Sequence, residues 1–204
     1  MLTKNANVTA KFTGVDFSQY SSKISEFVNE FSSRANKKGQ FLNWVNLPQE
    51  QAKRVDEIYK LACGLKAQTG AEKLSVMGIG GSKHTVEHML SINGLNVKQD
   101  VIEFYSDVDS ASLERFLYRL ENNVLKSNFL IASKSGSTFE TKDGFLRVLQ
   151  MLKDAYTAQG KSPEEADKAA QKHFIAVTDA NAEKSELRRT SNENGWLGDL
   201  YIHD

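Results

Sequence analysis

The sequence predicts an α/β fold, a doubly wound parallel sheet of about five strands with helices on both faces, preceded by N-terminal helices. Three observations carry this. Short apolar β-type runs recur from Leu74 onward, and a stretch with helical periodicity follows each of them. The breaks between run and helix are rich in glycine and serine, above all Gly78-Ile79-Gly80-Gly81-Ser82 and Ser133-Lys134-Ser135-Gly136-Ser137-Thr138. Alternation of this kind implies parallel strands joined by right-handed crossovers.

Residues 17–35 carry apolar side chains at Phe17, Tyr20, Ile24, Phe27, Val28 and Phe31, an amphipathic helical period that ends in the charged run from Arg34 to Gly39. Leu47-Pro48 opens a second helix, with proline suited to a first helical position, and Val55, Ile58, Tyr59 and Ala62 line one face until Gly64 or Gly70. The strands are then Leu74–Ile79, Val101–Tyr105, Asn128–Ser133 and His173–Thr178, with a fifth at Leu200–Ile202. Between them lie helices at about Lys83–Ile92, Ala111–Glu121 and Thr138–Gln159, and a short one that begins at the capping box Ser162-Pro163-Glu164-Glu165. Residues 1–70 are thus read as a helical segment and 71–204 as the sheet domain. If the strand order is flavodoxin-like, strands one and three are neighbours at the switch point, where ligands bind at the carboxyl edge. Those strands carry the two loops.

With 204 residues and 40% hydrophobic content the chain can bury a sizeable core. Lysine plus arginine equal aspartate plus glutamate at 26 each, so no global positive field draws nucleic acid or anionic lipid. Met1 to Phe12 lacks the apolar core of a signal peptide, and no run approaches the ~18–20 apolar residues of a membrane span; a cytoplasmic location is expected. The single cysteine, Cys63, sits in the helical pattern Tyr59 to Cys63 and is read as a buried structural thiol.

The first glycine-rich loop fits the nucleotide motifs poorly. The dinucleotide fingerprint needs its third glycine where this chain has Lys83, and Gly78 to Lys83 lacks the four-residue gap of a P-loop. The first loop reads as a phosphate cradle or as a simple tight turn. The second is more specific, because Ser133, Ser135, Ser137 and Thr138 bring hydroxyls to a strand end and a helix N-terminus, where a phosphate meets backbone N–H groups and the helix dipole. Its bland alternative is a polar loop with Thr138 as a helix cap. His84-Thr85-Val86-Glu87-His88 matches a zinc-peptidase spacing, but a third ligand would be needed and an outer polar helix face explains it equally well; no metal site and no cofactor is assigned. Asp179 at the end of the fourth strand reads as a turn cap rather than a ligand. Glu183 to Arg189 reads as a solvated helix, with Arg188 or Arg189 available to face an anion.

GIGGS after the first strand, ASKSGSTFET around the third and IAVTD at the fourth together resemble the phosphoglucose isomerase family, whose domain is the sugar isomerase (SIS) fold. The resemblance runs from about Leu74 to Asp204, with the N-terminal helices similar in placement only. It implies that Gly81 and Ser82 are first phosphate-loop positions and that Ser133, Lys134, Ser135 and Thr138 are second phosphate-loop positions. Their ligand would be the phosphate of glucose 6-phosphate or fructose 6-phosphate, with Lys134 acting through its main chain or as a nearby charge. The implied chemistry is cofactor-free aldose–ketose isomerisation through an enediol, in glycolysis and gluconeogenesis, by a protein that is a homodimer at full length.

The departures bear on this. Lys83-His84-Thr85-Val86-Glu87 follows GIGGS where many members carry a small residue, leucine and glycine. Family members resemble two SIS-type domains in succession, and this chain resembles the first alone. Its ending, Leu200 to Asp204, is similar to the lead-in to a glycine-glycine-arginine motif whose arginine stabilises the enediolate; the later glutamate base, ring-opening histidine and lysine are also absent. No catalytic residue is therefore assigned, and the expectation is a phosphate-anchoring domain without activity of its own. The alternative is a stand-alone sugar-phosphate-sensing module; against a DNA-binding regulator, the N-terminal helices lack a basic recognition face, with Lys37 and Lys38 an adjacent basic pair after Arg34.

Overall fold

The computed structural model of the protein describes residues 18–34, 47–81, 84, 86, 88, 101–106 and 109–202. The chain divides into two compact units, one up to Leu47 and one from Pro48 to His203. In the first, a 3-10 turn at Ser18–Tyr20 leads into α1 (Ser21–Arg34). Its apolar side chains fall at helical spacing, as the sequence pattern requires; Tyr20, Ile24, Phe27 and Val28 are exposed, and the Phe27 and Phe31 rings stack at 6.1 Å.

The second unit opens with α2 (Leu47–Ala52) and α3 (Val55–Thr69). The single helix expected here is broken at Lys53-Arg54, where Lys53 and Arg54 donate to the carbonyls three residues back, a tightened turn. Arg54 then clamps Glu57 with two hydrogen bonds of 2.9 and 3.0 Å. Gly70, at φ 69°, ends α3 as a left-handed cap, its N–H on the Lys66 carbonyl. Cys63 corrects the sequence expectation: it is exposed. α3 turns Leu61 toward Gly198 and buries Leu65, one helical turn apart, and Cys63 between them points to the opposite side.

The remaining elements are β1 (Lys73–Met77), β2 (Ile102–Tyr105), α4 (Ser110–Leu120), β3 (Ser127–Ala132), α5 (Phe139–Ala158), α6 (Pro163–Gln171), β4 (Phe174–Asp179), α7 (Glu186–Glu193) and β5 (Asp199–Ile202). All pairings among the strands are parallel, in the order β2-β1-β3-β4-β5. This is the flavodoxin-like order, and β1 and β3 are hydrogen-bonded neighbours, Met77 opposite Ile131. Of the crossover helix expected at Lys83–Ile92, His84, Val86 and His88 have helical backbone, as has Gly81 ahead of it, and the rest lies outside the described residues.

Alternation along β3 places helices on both faces. Phe129 and Ile131 join a core with Phe145, Val148 and Leu152 of α5, while Asn128, one residue before Phe129 and so on the opposite face, accepts the Thr69 hydroxyl of α3 at 2.9 Å. α5 comes close to β1 and β2 because Gly144 faces them: a Cβ there would stand 2.9 Å from both Met77 and Tyr105. Trp196 closes the core, stacked on Phe174 at 5.1 Å with its indole N–H donating to Gln171 at 2.7 Å.

Candidate phosphate-binding site

Adjacent parallel strands run about 4.8 Å apart, so the loops that leave β1 and β3 emerge side by side at the carboxyl edge. In the first, Gly78 is buried with its N–H on the Tyr105 carbonyl at 3.0 Å. Gly80 takes φ 61°, and Gly81 is exposed and already helical. Ser82 lies outside the described residues.

The second loop is held from inside and from below. Ser133 is buried, and its Oγ accepts the Gly136 N–H at 3.0 Å and pairs with Thr138 Oγ1 at 3.1 Å. Ser135 Oγ pairs with Ser137 Oγ at 2.7 Å and accepts the Ser137 N–H at 3.2 Å. Below, the Lys134 carbonyl accepts from the Asp179 N–H at 3.1 Å and from the Thr178 hydroxyl at 3.0 Å. The Ser135 carbonyl accepts from the Glu186 N–H at 2.8 Å. With its proton on Lys134, Thr178 Oγ1 receives the Ser185 hydroxyl at 2.5 Å. Gly136 makes this contact with α7 fit: at φ 75° it occupies the left-handed region, and a Cβ would fall 2.2 Å from the Leu187 nitrogen.

The result is a loop bonded to β4 and α7 whose outer surface is polar and open. Lys134, Ser135 and Ser137 are exposed. Thr138 is the N-cap of α5, but its side chain makes no capping bond because the hydroxyl is turned to Ser133. Asp109, Ser162 and Ser185 do cap α4, α6 and α7. The 20-residue α5 therefore presents first-turn N–H groups without a side-chain cap, beside a lysine and two hydroxyls. This arrangement can hold a dianion by charge-assisted hydrogen bonds.

Asp179 behaves as a turn cap, its Oδ1 accepting the Asn181 N–H at 2.7 Å. The solvated helix expected at Glu183–Arg189 is solvated on one side only: α7 starts after Ser185, and Leu187 and Arg188 are buried. Arg188 Nε donates to the Asp179 carbonyl at 3.1 Å, and burial pulls its guanidinium below the usual arginine range. Arg189 donates to the Ala182 carbonyl at 2.6 Å. Arg188 thus binds the last carbonyl of β4, and Arg189 one in the β4–α7 connection. The supports of the site that the pattern did not mark are Thr178, Ser185 and Glu186. A serine before a helical stretch with an acidic first turn was the available signal.

His84 and His88 are exposed and share a face, ring centres 6.5 Å apart. Glu87 lies outside the described residues, and among the described residues no three histidine, cysteine or carboxylate side chains form a group that could hold a metal. Among them, too, no helix is long and apolar enough to cross a membrane.

Comparison with known proteins bears on this edge directly. The model of the phosphoglucose isomerase family matches residues 43–194, so the match begins ahead of α2, earlier than the Leu74 expected from the motifs. A glucose-6-phosphate isomerase of Mycoplasmopsis pulmonis is 26% identical over 87% of this chain and 40% of its own length. One from Rippkaea orientalis is 33% identical over 68% of this chain and 23% of its own. This chain therefore spans well under half the length of these relatives. Among solved structures, a hypothetical protein from Thermus thermophilus superposes with a TM-score of 0.69 at 20% identity, covering 91% of this chain and 40% of that one. A glucose-6-phosphate isomerase from Chlamydia trachomatis gives 0.51 at 23% identity, covering 73% and 26%; at such identities the likeness is one of fold. With the family match extending over both glycine- and serine-rich loops and the strands that bear them, the chain belongs to the phosphoglucose isomerase family.

Proposed function

We propose that the loops after β1 and β3 grip the phosphate of a hexose 6-phosphate, and that this chain supplies the N-terminal, phosphate-anchoring SIS-type part of a glucose-6-phosphate isomerase. The observation that carries the proposal is the start of α5, without a side-chain cap and flanked by the exposed Lys134, Ser135 and Ser137 on a loop locked to β4 and α7. Gly81 and Ser82 contribute from the first loop, and Ser133, Lys134, Ser135 and Thr138 from the second. Each hydrogen bond to a charged group is worth about 1.5–3 kcal/mol, so three or four hold a small sugar phosphate.

In aldose–ketose isomerisation a proton moves between C2 and C1 through an enediol. The phosphate is remote from those carbons, and binding it positions them without moving the proton. No base or electrophile is assigned in this chain, so it grips substrate without turning it over. By the same family reading the full-length protein is a cytoplasmic homodimer acting in glycolysis and gluconeogenesis.

Thermal unfolding with and without ligand tests the grip. 6-Phosphogluconate at ten times its Kd stabilises the chain by about 1.4 kcal/mol, and gluconate, which lacks the phosphate, does not. No shift at millimolar 6-phosphogluconate overturns the preformed grip. Turnover of fructose 6-phosphate by protein freed of host isomerase overturns the predicted inactivity.

A further inference from the structure

Beneath the loop after β3 lies a cavity of about 30 Å³, lined by Ser133, Gly136, Thr141, Phe145, Leu187 and Thr190 among others. Thr141 sits in the first turn of α5, only 2% exposed, and its Oγ1 is buried without a hydrogen-bond partner. An orphaned buried hydroxyl is unfavourable, and native folds pair nearly all such groups with protein or with ordered water. The cavity exceeds the ~10–15 Å³ that one water needs. Beside the apolar Ile131, Phe145 and Leu187, its lining includes the hydroxyl-bearing Ser133 and Thr190 and the Lys142–Glu186 ion pair, at 2.6 Å, as candidate partners for a water.

We propose that this cavity binds one water molecule, hydrogen-bonded to Thr141 Oγ1, which ties the first turn of α5 to the underside of the loop and to α7. Thr141 is then a positioning residue: it touches no ligand but holds Ser133 and Gly136, and through them the hydroxyls above, in place. The water site stands on the cavity and the orphaned hydroxyl; the positioning role rests on the phosphate reading given above.

The test uses the full chain with Thr141→Val, which keeps shape and removes the hydroxyl, and Thr141→Ser, which keeps the hydroxyl. A high-resolution crystal structure of the unsubstituted chain should show one ordered water about 2.7–3.2 Å from Thr141 Oγ1, present in Thr141→Ser and lost in Thr141→Val. The thermal midpoint of Thr141→Val should fall by about 2–4 °C. Its Kd for 6-phosphogluconate should rise roughly fivefold, with Thr141→Ser restoring binding. A rise in the Thr141→Val midpoint, as expected for deleting a truly unsatisfied hydroxyl, or the absence of the water, overturns the site. Unchanged binding by Thr141→Val overturns the positioning role. If the unsubstituted chain does not bind 6-phosphogluconate, the phosphate reading fails, and the crystal structure and midpoints still decide the water site.

Discussion

At the amino end of β3 and β4, Ser127, Asn128 and His173 are buried and find partners inside the fold; in the loop at the carboxyl end of β3, Lys134, Ser135 and Ser137 are exposed. His173 stands between the Ser127 carbonyl at Nδ1 and the Tyr156 hydroxyl at Nε2, 2.8 Å from each, while the Ser127 hydroxyl donates to Asn123 at 3.0 Å. The carboxyl-edge hydroxyls bond mainly to one another, Ser133 to Thr138 and Ser135 to Ser137. Similar side-chain chemistry therefore builds a closed support at one end and a polar surface open to water at the other. Burial makes the difference, because a polar group removed from water must be paired, and one left at the edge can be exchanged for a ligand.

The sharpest way to break this contrast is to strip the open end. If Ser135 and Thr138 bind phosphate as proposed, Ser135→Ala with Thr138→Ala removes two charge-assisted bonds, an expected loss of about 3–6 kcal/mol of 6-phosphogluconate binding. Calorimetric titration would show it, with thermal stability little changed. The next effect is on the lock itself. Gly136→Ala combines a left-handed φ with a Cβ 2.2 Å from Leu187, and should cost about 3 kcal/mol of unfolding free energy in urea titration.

At the closed end the probe is pH. Burial lowers the His173 pKa below its usual 6.5, against the opposing hydrogen bond to Ser127. The unfolded chain then binds a proton that the folded chain does not, so stability is full above pH 6.5 and falls as pH drops through that value toward the folded pKa. The slope from this one group is at most about 1.4 kcal/mol per pH unit. Urea titrations between pH 7.5 and pH 5 should show it in the unsubstituted chain and lose it in His173→Gln. The smallest contrast compares two helix starts. Ser162 forms a complete capping box with Glu165, and Ser162→Ala should cost about 1 kcal/mol. Thr138→Ala removes no cap and should cost about half that, the loss of its bond to Ser133.

Much of the fold was legible along the chain. The strand–loop–helix alternation, the Ser162 capping box and the turn at Asp179 lie where periodicity and side-chain chemistry placed them. The second loop stood out as a candidate anion site because four hydroxyls and a helix start fall within six residues. Less was readable in the helix before β1, where the tight turn at Arg54 interrupts a continuous apolar stripe, and in Cys63, whose helical context says nothing of which face is covered.

Signals of this kind act over a few residues: hydrophobic period, caps and glycine conformations need only their near neighbours. The adjacency of β1 and β3, the burial of Leu187 and Arg188, and the seat of Thr141 depend on segments far apart in sequence. The Thr178–Lys134 bond spans 44 residues, and Gly136 is required by a backbone atom of Leu187 rather than by anything beside it. Local chemistry thus sufficed to mark the two loops as phosphate-binding candidates, whereas long-range packing alone decided that they lie side by side and that the second is locked to β4 and α7.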